Sequence, residues 1–251
     1  MKPLSGKRIL ITRPAGQAQA LAQLVRDAGG EPLCVPAIEI RALQDPAQFH
    51  ALARRLETFD LAIFVSRNAV RSAFELLGGR TWPAGLALAT VGQGSREELE
   101  QRGFAKVIAP EAQSDSEALL AMPELAAMQG RRVVIFRGDE GRRLLGDELA
   151  KRGAAVEYAA CYRRVRPGGE GPAAAWQHGV DAVTLSSAEG LSNLIDMLGA
   201  GALEKLATSA LFVPHQRVAL EAERHGLRAI VAGPRDAQMA AALVAYFGGA
   251  R

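Results

Sequence analysis

The chain is poor in residues that staple, ligate or anchor. Only two cysteines occur in 251 residues, Cys34 and Cys161, and neither stands in a CxxC or CxxxH spacing. That argues against a disulfide framework and against a zinc site. The four histidines, His50, His178, His215 and His225, lie far apart and form no metal-ligand pattern. No apolar run approaches the length that crosses a bilayer. The opening stretch MKPLSGKRILIT enters a strand at once, without a long apolar region or a cleavage site. A cytoplasmic protein with reduced thiols is the expectation, with no membrane partner. An excess of one charge is also missing. Thirty basic residues face 27 acidic ones, a net charge of +3. They are scattered rather than massed, so no nucleic-acid partner is expected. A local basic cleft for an acidic small molecule remains open.

What is present is apolar material and duplication. Hydrophobic residues make up 49% and charged residues 23%, the balance of a globular protein able to fill one large core or two ordinary ones. The stretch KRILITRPAGQAQALAQLVRDAGGEP, from Lys7, returns as RRVVIFRGDEGRRLLGDELAKRGAAVE, from Arg131. Arg8, Ile11, Arg13, Leu21 and Gly29 align without a gap on Arg132, Ile135, Arg137, Leu145 and Gly153. Each copy predicts a strand, an amphipathic helix stopped by Gly, and a second strand, which is a βαβ unit of a parallel sheet. A second unit is duplicated too. FDLAIFVSRNAVRSAFELL aligns with VDAVTLSSAEGLSNLIDML, placing Asp60, Ser66 and Val70 opposite Asp181, Ser187 and Leu191. Each is a buried strand ending in Ser with a helix just beyond. Each is followed by strand, tight turn, helix, Gly and strand, and closes with a helix, SDSEALLAM or PRDAQMAAALVAYF. The order is A, B, A, B, at about 1–40, 41–128, 129–165 and 175–251. Read from the repeats alone, that order puts a domain boundary near residue 128. PAIEIR and YRRVRPGGEGP are the linker candidates.

In parallel α/β sheets ligands gather at the carboxyl ends of strands. Arg13 and Arg137 directly follow the strands of the A units. Ser66 and Ser187 end strands of the B units at helix starts, as N-caps, as anion contacts, or as both. Arg67 and Asn68 line the same mouth. VGQGSREELEQRG offers Gly92 and Gly94 between strand and helix, half of a dinucleotide fingerprint whose third Gly is replaced by Glu97. With Ser95 at the cap it reads as an N-terminal nest. Asp139 and Glu140 read as first-turn acids of the following helix. His215, in the turn VPHQR, reads as a cleft-lining residue, since no nucleophile elbow accompanies it. Tyr162 ends the apolar run VEYAACY before RRVR, either as an accessible phenol or as an ordinary edge aromatic.

These stretches, ILITRPAGQAQALAQLVRDAGGEPLCVPAIEI, FVSRNAV, VGQGSREELEQRG, VVIFRGDEGRRLLGDELAKRGAAVEYAACYRR and LSSAEGLSNL, are spaced along nearly the whole chain. In that order the chain resembles the uroporphyrinogen-III synthase family. The resemblance implies an α/β fold of two similar flavodoxin-like (HemD-like) domains with parallel sheets, joined by a two-stranded linker, with the active cleft between them. It makes domain 1 discontinuous, 1–36 plus 168–251. Domain 2 is then 42–160, and 37–41 and 161–167 are the linkers. It implies a lyase that cyclises hydroxymethylbilane, a linear tetrapyrrole with eight carboxylates. The hydroxyl leaves to give an azafulvene, ring D attacks through its substituted carbon, and a spiro intermediate reopens and recloses with ring D inverted. No cofactor and no metal are implied. Tyr162 matches the family's tyrosine proposed as general acid, and Ser95 a Ser/Thr position of the cleft. The substrate contacts expected with them are Arg13, Ser66, Arg67, Asn68, Gly92, Arg137, Gly138, Ser187, Ala188, His215 and Gln216. The turn Pro214 to Arg217 departs from the family's Gly-rich turn. A monomer is expected, meeting the preceding pathway enzyme at most transiently. Two rivals of other classes are a two-domain clamp that binds without chemistry and a nucleotide-dependent transferase. A clamp returns its ligand unchanged, and a nucleotide enzyme is stabilised by nucleotide.

Overall fold

The computed structural model describes residues 2–111, 115–169 and 171–249. In chain order the elements are β1 (Arg8–Ile11), α1 (Ala15–Asp27), β2 (Glu31–Cys34), β3 (Glu39–Arg41), α2 (Ala47–Ala53), β4 (Leu61–Phe64), α3 (Arg67–Leu77), β5 (Ala87–Thr90), α4 (Gln93–Glu100), β6 (Val107–Ile108), α5 (Ser116–Leu120), β7 (Arg132–Gly138), α6 (Leu144–Lys151) and β8 (Ala155–Val165). They continue with α7 (Gly171–Trp176), β9 (Ala182–Thr184), α8 (Ala188–Leu198), α9 (Ala202–Ala207), β10 (Ala210–Val213), α10 (Gln216–Arg224), β11 (Ala229–Val231) and α11 (Asp236–Gly248). Of the expected helix SDSEALLAM, Ser114 lies outside the described residues, as does Glu170 of the linker candidate.

Contacts gather the chain into two compact units, 1–39 with 165–251, and 40–164. A boundary near residue 128 is ruled out by the strand pairing. β7 lies beside β4, and β1 beside β9. The two copies of each repeat are therefore not neighbours in one sheet; each A unit pairs with a B unit.

The first unit holds a five-stranded sheet of order β11-β10-β9-β1-β2, parallel at every pair. Counted within the unit this is 2-1-3-4-5, an order of doubly wound sheets. Ile9 and Ile11 of β1 face α1 and α11, where Ala18, Leu21, Ala22, Val25, Met239 and Leu243 are buried. Their neighbour Leu10 faces the other way, onto the α8 and α10 side with Leu191, Leu194 and Val218. The period of two in the strand and of 3.6 in the helices thus fills both layers.

The second unit has the order β3-β8-β7-β4-β5-β6. Leaving out β3, it repeats the first unit's pattern with its A and B parts exchanged along the chain. Leu61, Ala62, Ile63 and Phe64 of β4 sit in parallel register with Val133, Val134, Ile135 and Phe136 of β7. Phe64 and Phe136 stack with centroids 4.6 Å apart and planes within 7°. This pair anchors the carboxyl ends of the two central strands, with Ser66 just beyond the end of β4 and Gly138 the last residue of β7. α1 and α6 both run into a Gly with positive φ, Gly29 at 90° and Gly153 at 89°. That conformation strains any residue with a Cβ and explains why Gly recurs at the end of each copy.

Candidate functional site

In the second unit the site is built around Tyr162. The sequence places this residue at the end of a strand, but β8 continues through Val165, and Tyr162 is only 4% exposed. Its phenol lies 3.1 Å from the hydroxyl of Ser66. Ser66 is the N-cap of α3, and its Oγ also accepts the Ala69 N–H at 3.0 Å. Gly138, on the neighbouring strand, stands in register with Tyr162. A Cβ on Gly138 would meet the ring's Cε2 at 3.1 Å and Cζ at 3.3 Å. The Asp139 N–H donates to the Tyr162 carbonyl at 2.9 Å. Ser66, Gly138 and Tyr162 therefore form one packed group.

Arg67, the first residue of α3, reaches across to α4. Its guanidinium donates to Glu97 at 3.1 Å. It lies flat over Gly94, where a Cβ would come within 2.3 Å of its Nε. Gly94 is thus needed for close approach, a role that a search for a phosphate-binding fingerprint does not reveal. Asn68 follows in the first turn of α3, partly buried. The cap of α4 is Gly92 and not Ser95. Ser95 lies inside the first turn, buried, with its N–H on the Gly92 carbonyl at 3.1 Å. The helix starts three residues earlier than expected because Gly92 is extended and its carbonyl already accepts the first helical bonds.

Arg137 belongs to a different place. It is 9% exposed, on the opposite face of β7 from the Tyr162 cluster. Its guanidinium packs 5.1 Å over the Tyr158 ring and donates to the carbonyls of Gly138 and Arg142 at 3.2 and 3.1 Å. It holds the loop 138–142 together. That loop separates Asp139 and Glu140 from α6, which begins only at Leu144 with Asp147 as its first-turn acid. The two acids are therefore loop residues and not helix-dipole partners. A 620 Å³ cleft opens beside them, lined by Arg137 and Arg143 but also by Asp45, Asp139 and Glu140. Its mixed charge does not favour a polycarboxylate.

The α3–α4 contact carries a buried ion network missed by sequence reasoning. The Glu98 side chain is 8% exposed and accepts hydrogen bonds from Arg71 and Arg102. Burial would raise its pKa, but the two guanidinium partners outweigh burial and hold it below the ordinary glutamate value. The i, i+4 spacing of Glu98 and Arg102 was a readable signal; the Arg71 partner, on another helix, was not. Burial pushes the Cys161 thiol up to about 12, and it donates to the Arg137 carbonyl at 3.2 Å.

In the first unit, Arg13 forms an ion pair with Asp236 at the start of α11 and donates to the Pro234 carbonyl. Ser187 caps α8 with the geometry of Ser66. Its Oγ accepts the Gly190 N–H at 3.0 Å, and its φ and ψ of −162° and 163° match the −164° and 163° of Ser66. Ala188 is the first residue of α8. His215 is the N-cap of α10, without a side-chain cap bond, and Gln216 is its first residue, exposed. Ser187, Ala188, His215 and Gln216 all lie beyond the carboxyl ends of β9 and β10. Among the described residues no three His, Cys, Asp or Glu side chains gather as a metal-ion site, and no helix is long and apolar enough to cross a membrane.

The family model for uroporphyrinogen-III synthase HemD matches residues 19–242. The chain belongs to this family. Among curated relatives, the uroporphyrinogen-III synthase of Proteus mirabilis is 36% identical over 159 residues, covering 62% of this chain and 80% of the relative. That of Salmonella typhimurium is 35% identical over 194 residues, 74% of this chain and 78% of the relative. Of solved structures, the Helicobacter pylori uroporphyrinogen-III synthetase superposes with a TM-score of 0.64 at 14% identity, covering 96% of this chain and 99% of that one. A mutant of the Thermus thermophilus synthase gives 0.63 at 19%, covering 94% and 97%. These two likenesses show the shared α/β fold with its parallel sheets.

Proposed function

We propose that this chain is a uroporphyrinogen-III synthase, a hydro-lyase that closes hydroxymethylbilane into uroporphyrinogen III with inversion of ring D and release of water. The observation that carries the reading is the family match over residues 19–242, and relatives of that name at 36% and 35% identity support it. The reading includes, as proposals, flavodoxin-like kinship of two domains at 1–36 plus 168–251 and 42–160, paired linker strands, and a substrate site between the domains. It also includes a cytoplasmic monomer that needs no cofactor and meets the preceding pathway enzyme only transiently.

The substrate's own pyrrole nitrogen drives out the hydroxide. The protein's tasks are to hold a polyanion, to protonate the departing oxygen and to fold the chain so that ring D attacks through its substituted carbon. Helix N-termini suit the first task. The first-turn amides of α3 and α8 are partly occupied by their serine caps. α4 and α10 start at Gly92 and His215 without such a cap, which leaves first-turn N–H groups for carboxylates. Arg67, Asn68, Ser95, Ser187, Ala188 and Gln216 flank these four starts. Tyr162 is the proposed general acid. Arg13 and Arg137 are engaged with Asp236 and with backbone carbonyls, so their proposed share in binding is a long-range field.

The test is to supply enzymatically generated hydroxymethylbilane and separate the product isomers. Uncatalysed closure gives type I. The reading expects type III, without added metal or cofactor. Type I alone would overturn it, and unchanged substrate held by the protein would point to the clamp.

A further inference from the structure

Tyr162 is 4% exposed, whereas Ser66 is only half buried. A phenol so enclosed is poorly placed to hand a proton straight to a substrate. Ser66 Oγ lies 3.1 Å from it, and either oxygen of the pair can donate. Ser66 has one proton and two lone pairs. One lone pair takes the Ala69 N–H. When Tyr162 donates into the other, the serine's own O–H must turn away from both and outward from the packed group. We propose that Ser66 is the relay of the acid. In this step its O–H gives the proton to the departing hydroxyl oxygen while its Oγ takes the Tyr162 proton. The C–O bond breaks with both electrons going to oxygen, water leaves, and the negative charge rests on the phenolate. The proton shed when the attacked pyrrole ring regains aromaticity returns along the same path, so both groups end as they began.

Two features of the structure serve this relay. The N-terminus of α3, an 11-residue helix, lies behind Ser66 Oγ, and its dipole favours negative charge on the Ser66–Tyr162 pair. Gly138 lets the ring pack close to β7, where a Cβ would crowd Cε2 and Cζ beside the phenol oxygen. Ser187 repeats the cap in the other unit, with its Oγ accepting from Gly190. The cap by itself is therefore a property of the duplicated fold, and the tyrosine partner is what distinguishes the Ser66 copy.

The inference rests on the proposed synthase activity, and its test separates the two. kcat, KM and product isomer are measured for wild type, Ser66→Gly, Ser66→Thr, Tyr162→Phe and the double variant Ser66→Gly/Tyr162→Phe. Glycine is tolerated at an N-cap, so the helix start is kept while the hydroxyl is lost. The relay expects Ser66→Gly and Tyr162→Phe to lower kcat by the same factor, up to about 100-fold, the lower end for a general acid. The double variant should be no slower than either single one, because one chain of two members is being broken. Ser66→Thr should restore the rate, and KM should stay within about twofold of wild type in every variant, since the relay acts on the chemical step. Wild-type kcat in Ser66→Gly with a slow Tyr162→Phe would overturn the relay and leave Tyr162 as a direct acid. Multiplying losses in the double variant would also overturn it, as would a fully active Tyr162→Phe. A wild-type protein that forms only the type I isomer would sink the activity itself, a different failure from any of these.

Discussion

Asp181 accepts a hydrogen bond from the backbone N–H of Arg8 at 2.8 Å, across 173 residues of chain. Asp60 accepts one from the Arg132 N–H, also at 2.8 Å. These are the same position in the two units, since Arg8 aligns with Arg132 and Asp60 with Asp181. In both units the aspartate of a B repeat grips the first strand of an A repeat where that strand begins. The duplication has kept the grip and exchanged the order of the partners along the chain.

Asp181 should therefore matter to stability more than a surface acid does. Burial would raise its pKa, but the Arg8 amide and Lys7 outweigh it and hold it below the ordinary aspartate value. A depressed folded-state pKa contributes stability that is complete above the ordinary carboxylate range and is lost as pH falls through the folded value. Asp181→Ala is expected to cost roughly 2 kcal/mol at neutral pH, the worth of hydrogen bonds to a charged group, and less in acid. Urea unfolding at neutral pH and again well below the carboxylate range measures both. An equal cost under the two conditions would contradict the assignment.

Glu98 has the same sign and a more buried setting. Its carboxylate should titrate below its unfolded value, so its contribution also disappears on acidification. Glu98→Gln keeps the shape but removes the charge between Arg71 and Arg102, with an expected loss of roughly 2 kcal/mol at neutral pH. The variant's unfolding midpoint should depend less on pH than wild type between neutrality and the carboxylate range. Wild-type stability at neutral pH would show that the network is held open by solvent.

Gly94→Ala tests the placement of Arg67. The added methyl meets only the end of a flexible side chain, so the fold should survive with a melting temperature near wild type. Arg67 should leave the first turn of α4. If it serves substrate binding there, KM should rise several-fold and kcat change less, as for an interaction equally strong in ground and transition states. Unchanged KM would remove Arg67 from the proposed contacts.

Arg137 should not tolerate lysine. Its guanidinium spans two carbonyls while packing on Tyr158, which an ammonium cannot do. Arg137→Lys should loosen the loop 138–142, seen as faster hydrogen exchange there, and should lower the melting temperature. A rise in KM alone, with exchange unchanged, would return Arg137 to a direct binding role.

The two thiols should differ sharply. Cys34 is exposed, whereas Cys161 is buried with its pKa pushed up to about 12. A thiol reagent at neutral pH should label Cys34 alone in the native protein and both after unfolding. Labelling of Cys161 in the native state would show that β8 opens locally.

The strands and helices of the repeated units were legible because duplication states each pattern twice, and the serine caps because a serine between a buried strand and a helix has few other uses; α2, α7 and α9 lie outside the matched stretches and were not expected. The pairing of the first A with the last B was not legible from periodicity. Sheet order depends on which strands meet, and no local pattern encodes that; it entered only through the family resemblance. At the site, sequence placed Ser66, Gly138 and Tyr162 near strand ends but did not join them. Gly138 was chosen without its reason, the tyrosine ring pressed against it. Asp139 and Glu140 were misplaced because the bonds from Arg137 to the Gly138 and Arg142 carbonyls delay α6. Gly94 and Glu98 were missed as partners of Arg67 and Arg71 because those contacts join separate helices.

The placement of β1 between β2 and β9 also sets a timetable. During synthesis β1, α1 and β2 emerge well before their sheet neighbour β9, which begins at Ala182. At roughly 5–20 residues per second the early segment waits on the order of ten seconds, while residues 40–164 have nearly every strand of their own sheet. The inner unit can therefore be finished before the outer one can start. Through that interval the apolar face of α1 and both faces of β1 depend on something other than their final partners to keep them from pairing elsewhere.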